Sequence, residues 1–157
     1  MKHPILLLAV VSLILVSGCS HKPPGGSQQF DTRAIEQAAH GGYVAAINSN
    51  DIDTLMADLT DDIVYQAPGA PEVVGKAAVK TWAASYFAAY RTRWEKRSIG
   101  FTVAGDYAFE RYTYKSTDTD KKSGAVTTDV GKGINIFRRG SDGKWRVAVD
   151  GWSSDKS

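Results

Sequence analysis

The chain is poor in the residues that staple, metallate or nucleophilically arm a fold. Its 157 residues hold one cysteine, Cys19, which excludes a disulfide within the chain. Its histidines are His3, His21 and His40. The first two precede the folded region, so a histidine metal cluster is not expected. No Ser/His/Asp or Cys/His catalytic arrangement is expected either, since Cys19 has another expected use as a lipid attachment point, and the sequence calls for no cofactor. A surplus of one charge is also missing. Lys and Arg number 19 against 17 Asp and Glu, a net charge of +2. That balance excludes the basic footprint of a nucleic-acid binder. No internal repeat is visible, and no second domain is expected. With 43% hydrophobic and 23% charged residues, the composition suits one globular domain with a short appendage.

What is present begins with a leader. Met1-Lys2-His3 is a short basic start, and residues 4–16 are apolar. That run is too short for a comfortable membrane span and is placed like a secretory signal. Val16-Ser17-Gly18-Cys19 resembles the bacterial lipobox, in which cleavage precedes a cysteine that receives a lipid. The alternative is an ordinary signal peptide that ends near a cysteine. An acyl group on Cys19 would hold the mature protein on a membrane by burying methylenes. Ser20, where an aspartate usually marks inner-membrane retention, implies the outer membrane, facing the periplasm. Pro-Pro, Gly-Gly and a lack of aliphatics then make a tether. The expected organisation is a signal over 1–18, a tether over 19–29 and one domain over 30–157.

Asp31 is a good helix N-cap, and Phe30 can staple onto Ile35. Ile35, Ala39, Gly42, Tyr43, Ala46 and Ile47 form a helical stripe that Asn48-Ser49-Asn50 ends. Asp51 caps a short second helix expected to run through Leu59. Residues 62–66 read as a short strand and 67–74 as a loop with Pro68 and Pro71. Gly75 opens a third helix with the stripe Val79, Trp82, Ala83, Tyr86 and Tyr90. Residues 92–103 read as one long strand, bulged near Arg97 and Ser98. Arg91, Arg93, Lys96 and Arg97 around Trp94 could touch anionic headgroups, but the favoured reading is a solvated strand face. Residues 107–116 form the next strand, with Tyr107, Phe109, Arg111 and Thr113 on one face. Residues 116–125 read as a polar hairpin loop. Its Asp118 to Gly124 portion begins like a calcium loop, but Lys122 occupies a ligand position and no glutamate closes it.

The stretch 131–152 organises the rest. Two alternating runs flank Gly140-Ser141-Asp142-Gly143, a hairpin signal. Gly131, Gly133, Asn135 and Phe137 share one face of the first run. In the second run Trp145, Val147 and Val149 oppose Arg146, Ala148, Asp150 and Trp152. Asn135 and Asp150 among Phe137, Ala148 and Trp152 suggest a pocket wall. Three helices before a run of long antiparallel strands give an α+β fold, a curved sheet wrapped on helices as a cone with one open end.

Order and motifs together resemble the SnoaL-like branch of the nuclear transport factor two-like superfamily, which also holds ketosteroid isomerase. The matching pieces are Asn50 to Asp53, Leu59 to Asp62, Gly75 to Val79, Gly105 to Tyr114 and the hairpin end Val149-Asp150-Gly151-Trp152. The resemblance implies a pocket between the first helix and the concave sheet face, lined by Tyr43, Phe109, Arg111, Asn135, Phe137, Ala148, Asp150 and Trp152. Such a site suits a small apolar or amphipathic molecule. The alternative is a filled core in which Arg111 and Asp150 pair. Ketosteroid isomerase works with a carboxylate base and with a tyrosine and a protonated aspartate as oxyanion donors. By position Tyr43 matches the tyrosine, Ala67 the base and Asn135 the donor aspartate. An alanine cannot accept a proton, so the same isomerisation is not expected. Relatives of this kind also dimerise through the convex sheet face. An apolar patch of Ile134, Ile136, Trp145, Val147 and Val149 there would mark an interaction module instead.

Overall fold

The computed structural model describes residues 31–156. The lipobox with Cys19, the signal, the tether and Phe30 lie outside the described residues.

Helix α1 spans Thr32–Ser49 and begins where Asp31 accepts a hydrogen bond from the Ala34 N–H at 3.1 Å. It ends at Asn50, which takes the left-handed conformation at φ 54°. Ala39, Tyr43, Ala46 and Ile47 are its buried stripe, as the periodicity requires. Helix α2 is Ile52–Ala57, capped by Asp51. It stops short of Leu59, because Leu59 already opens strand β1, Leu59–Gln66. The segment read as a loop contains a two-residue strand, β2 (Val73–Val74), paired with β1. Helix α3 is Lys76–Ala89, entered through Gly75 at φ 89°. It buries Val79, Ala83 and Phe87.

Four long strands follow: β3 (Tyr90–Ala104), β4 (Tyr107–Asp120), β5 (Val126–Arg139) and β6 (Trp145–Ser154). Strand β4 runs four residues beyond its expected end, so the polar loop is shorter than the sequence suggested. Asp120 holds that turn by accepting from the Lys122 and Ser123 N–H groups. The sheet has six strands in the order β2-β1-β6-β5-β4-β3. All pairs are antiparallel except β1 with β6. The architecture is α+β, an unclosed curved sheet wrapped around the helices. At the β3 margin of the sheet, Asn48 bonds both the N–H and the C=O of Trp94, and Asn50 does the same to Thr92.

Two irregularities set which side chains face inward. Register shifts between Ser98 and Gly100, the bulge expected in β3. A second shift lies where Ile136 pairs Val149 but Phe137 pairs Val147, which leaves Ala148 as the extra residue. This bulge reverses the phase of β6. Val147 therefore joins the core, fully buried, and leaves the convex patch expected of it. Two glycines of β5 allow close packing on the concave side. A Cβ at Gly133 would lie 2.4 Å from the Tyr112 ring and 2.4 Å from the Gly151 carbonyl oxygen. At Gly131 it would lie 2.7 Å from the Tyr114 ring.

Candidate functional site

Tyrosine-rich strand β4 alternates strictly, with Ala108, Glu110, Tyr112, Tyr114 and Ser116 buried. These face the helices. Phe109 and Arg111 consequently lie on the convex face, against the expectation that they line the pocket. Phe109 is 44% exposed. The Arg111 guanidinium lies across Gly100, its partner on β3, and makes no pair with Asp150. The strand carries aromatics on both faces, so its own pattern does not reveal which side turns inward.

Between the helices and the concave face of the sheet lies a cavity of about 220 Å³. Helix α1 contributes Tyr43 and Ile47, α3 contributes Trp82, Ala83, Tyr86 and Phe87, and the sheet contributes Tyr65, Trp94, Ser116, Asp118, Asp129, Asp150 and Trp152. Ala67 and Pro68 complete the rim. Of the residues expected from the sequence, Tyr43, Asp150 and Trp152 meet here. Asn135 and Phe137 do not line this space. Both are wholly buried below it, and Phe137 packs on Phe101 with ring centroids 6.0 Å apart. Ala148 is displaced by its bulge and is also outside the lining.

The walls are aromatic. Trp152 stands edge-on to Tyr65 at 5.9 Å, to Trp94 at 6.2 Å and to Trp82 at 6.4 Å. Trp82 stacks on Tyr86 at 5.6 Å with planes 10° apart. Such contacts hold the rings in fixed orientations.

The floor is polar. Asp150 accepts from the Tyr43 hydroxyl and from the Tyr112 hydroxyl, each at 2.7 Å. Tyr43 spends its proton there, which leaves the Tyr65 hydroxyl to donate to Tyr43 across 3.0 Å. Burial, with Asp150 close by, pushes the hydroxyls of Tyr43, Tyr65 and Tyr112 above their usual ionisation. Lys96 comes up from β3 with its ammonium 3.7 Å from Asp150 and donates to the Asn135 side-chain oxygen at 2.9 Å. It also lies 3.6 Å from the Tyr112 ring centroid. Burial lowers the Lys96 pKa, and Asp150 and Glu110 oppose that shift. Farther down, His40 Nδ1 stands 2.6 Å from Glu110 Oε1, but the approach does not meet hydrogen-bond geometry for either atom.

Lys96 was expected on a solvated face and is instead 9% exposed. Arg91, Arg93 and Arg97 do face solvent. The signal was the period of two shared by Thr92, Trp94 and Lys96, which places the lysine on the face of the tryptophan. Asp118 and Asp129 were also missed, the first because it was read as loop. Asp129 accepts from Ser154 and Tyr114 at 2.7 Å each. Burial works against its ionisation, yet those bonds together hold its carboxyl below the usual range. Asp118 Oδ1 is buried without a hydrogen bond of good geometry, and the Tyr86 hydroxyl is the polar group that acts on this carboxyl. Among the described residues no three histidine, cysteine or carboxylate side chains are grouped so as to hold a metal ion.

The site can hold a compact molecule between aromatic walls, above a carboxylate already engaged by two phenols and an ammonium. A family model described as a SnoaL-like domain matches residues 41–148. No curated protein matches the sequence. The chain is similar to a ketosteroid isomerase-like protein from Erwinia carotovora atroseptica, at 28% identity and a TM-score of 0.72, covering 82% of this chain and 100% of that one. Its fold is also similar to that of a conserved protein from Planctomyces limnophilus, at 21% identity and a TM-score of 0.70, covering 78% and 96%. A nuclear transport factor 2-like superfamily protein from Salmonella enterica serovar Typhimurium aligns at 14% identity and a TM-score of 0.66, covering 80% and 94%.

Proposed function

The chain belongs to the SnoaL-like domain family, whose members bind ligands and are sometimes enzymes, and from that premise we propose a small-molecule-binding domain with a mostly apolar pocket, carried on a membrane by a lipid on Cys19. The observation that carries the reading is the cavity of about 220 Å³ walled by Tyr65, Trp82, Trp94 and Trp152. An apolar cavity of about 150 Å³ accepts benzene, and drug-sized pockets run from about 300 Å³ upward. The occupant is therefore a compact molecule of one or two small rings. Any weak catalysis there would draw on Asp150 or Tyr43, and these are bonded to each other.

Native mass spectrometry of the purified protein should reveal a bound small molecule. Titration with compact aromatic compounds should change tryptophan emission in the wild type, and change it less in Trp152→Phe. An identical response in both proteins removes Trp152 from the site. The anchor is tested separately: radioactive fatty acid should label the wild type and not Cys19→Ala. A wild type that takes up no label refutes the anchor.

A second reading is a dimerising interaction module. It is favoured by exposed apolar side chains on the sheet, with Ile134 at 54%, Ile99 at 47% and Phe109 at 44% exposure. Light scattering on the wild type and on Phe109→Glu distinguishes a dimer built on that face from a monomer.

A further inference from the structure

Three carboxylates line the cavity, from Asp118, Asp129 and Asp150, and none of its lining residues is basic. Asp150 is balanced from below by Lys96. Asp118 and Asp129 have no such balance within the lining. Asp129 lies opposite Ser116 on neighbouring strands, and Asp118 is two residues farther along β4, so both project from the concave face as diagonal neighbours. Lys156 reaches the field of Asp129, but more weakly than the hydrogen bonds do, and its ammonium bonds the Thr128 carbonyl. One oxygen of Asp118 is buried without a well-directed hydrogen bond, and the Tyr86 hydroxyl beside that carboxyl also points to the Thr92 hydroxyl at 3.3 Å. A buried carboxylate oxygen left so is costly, and a ligand that brings a donor or a positive charge removes that cost.

The walls favour the same ligand. Aromatic faces carry negative charge density and attract cations, most strongly where water is excluded. Trp152 sits among Tyr65, Trp82 and Trp94. Ring faces and carboxylates thus act in one direction, toward positive charge and against anions.

We propose that the cavity selects a compact organic cation, an amine or quaternary ammonium group with a small apolar body, seated between the aromatic walls and the Asp118 and Asp129 carboxylates. The inference rests on the pocket reading above and names the ligand class it takes. The full-length protein is titrated calorimetrically with benzyltrimethylammonium, benzyl alcohol and phenylacetate, three probes of similar body and different charge. The expected result is binding of the cation roughly tenfold or more tighter than the alcohol, with phenylacetate weakest. In Asp118→Asn/Asp129→Asn, which keeps an acceptor oxygen at each position, the preference for the cation should fall below about threefold. Equal affinity for all three probes, or a preference for phenylacetate, overturns the cation assignment and leaves the pocket reading intact. A preference that persists in the double variant also overturns it, because the carboxylates are then not its source. Failure of every probe to bind overturns both readings.

Discussion

Lys96 Nζ stands 3.7 Å from Asp150 Oδ2, with both side chains almost wholly removed from water. Removing one member of such a pair leaves the other charge buried and alone, at a cost of about 3–5 kcal/mol. Asp150→Asn should therefore lower the free energy of unfolding by that order. Lys96→Met should also destabilise. The double variant should lose less than the sum of the two by at least about 1 kcal/mol. Guanidinium titrations of the four proteins give the coupling, and strict additivity would show that the two groups do not act as a pair.

The buried phenols fix an alkaline limit. Tyr43, Tyr65 and Tyr112 ionise later in the folded protein than when unfolded, their ordinary value being 10.0. Above about pH 10 the unfolded chain has released protons that the folded one keeps, so stability falls as pH rises. Each phenol contributes a slope of about 1.4 kcal/mol per pH unit. Lys96 acts in the opposite sense, because its folded pKa is lowered from 10.5. Its contribution rises with pH only up to that unfolded value and is flat beyond. Three phenols against one lysine predict a steep net loss above about pH 10.5. Denaturation midpoints from pH 8 upward measure it, and a flat profile would be inconsistent with protonated phenols in the floor.

Two glycine substitutions should move stability in opposite directions. Gly41 is an exposed position in α1, where an added Cβ would meet nothing within 4 Å, so Gly41→Ala should stabilise by up to about 1 kcal/mol. Gly133→Ala puts a methyl 2.4 Å from the Tyr112 ring and from the Gly151 carbonyl. Tyr112 cannot retreat without losing Asp150, so a loss of about 1–3 kcal/mol or more is expected. Thermal melts of the two variants decide the pair.

The protein should not isomerise ketosteroids. Ala67 lies on the rim of the cavity, where the positional match puts the base, and a positioned base is worth about 10²–10⁴-fold in rate. Asn135, the matched second donor, is wholly buried below the cavity. An absorbance assay for the conjugated enone should read no turnover in the wild type and at most a trace in Ala67→Asp. Robust wild-type turnover would refute this and redirect attention to Asp150.

The sequence disclosed the order of the helices and of every strand but β2, the caps at Asp31 and Asp51 and the β3 bulge, because these are local signals. It also disclosed Tyr43, Asp150 and Trp152 as cavity residues. It misplaced Phe109 and Arg111 because β4 has aromatics on both faces, and only the tertiary partner decides between them. It misplaced Val147 because one extra residue at Ala148 turns over the side chains before it relative to those from Val149 onward. Lys96 escaped notice because charge is read as solvent exposure unless a buried carboxylate is known to wait opposite. That carboxylate, Asp150, lies 54 residues away in the chain, beyond the reach of a local pattern.

Strand β3 is the last strand of the sheet, and such an edge ordinarily offers bare N–H and C=O groups to any extended chain that drifts past. Over Thr92 and Trp94 the amides of Asn50 and Asn48 already fill those positions, each as donor and acceptor at once. The helix end thereby acts as a dummy neighbour. It supplies the hydrogen bonds of another strand without being one, and closes this part of the edge to the strand-by-strand addition through which sheet proteins aggregate.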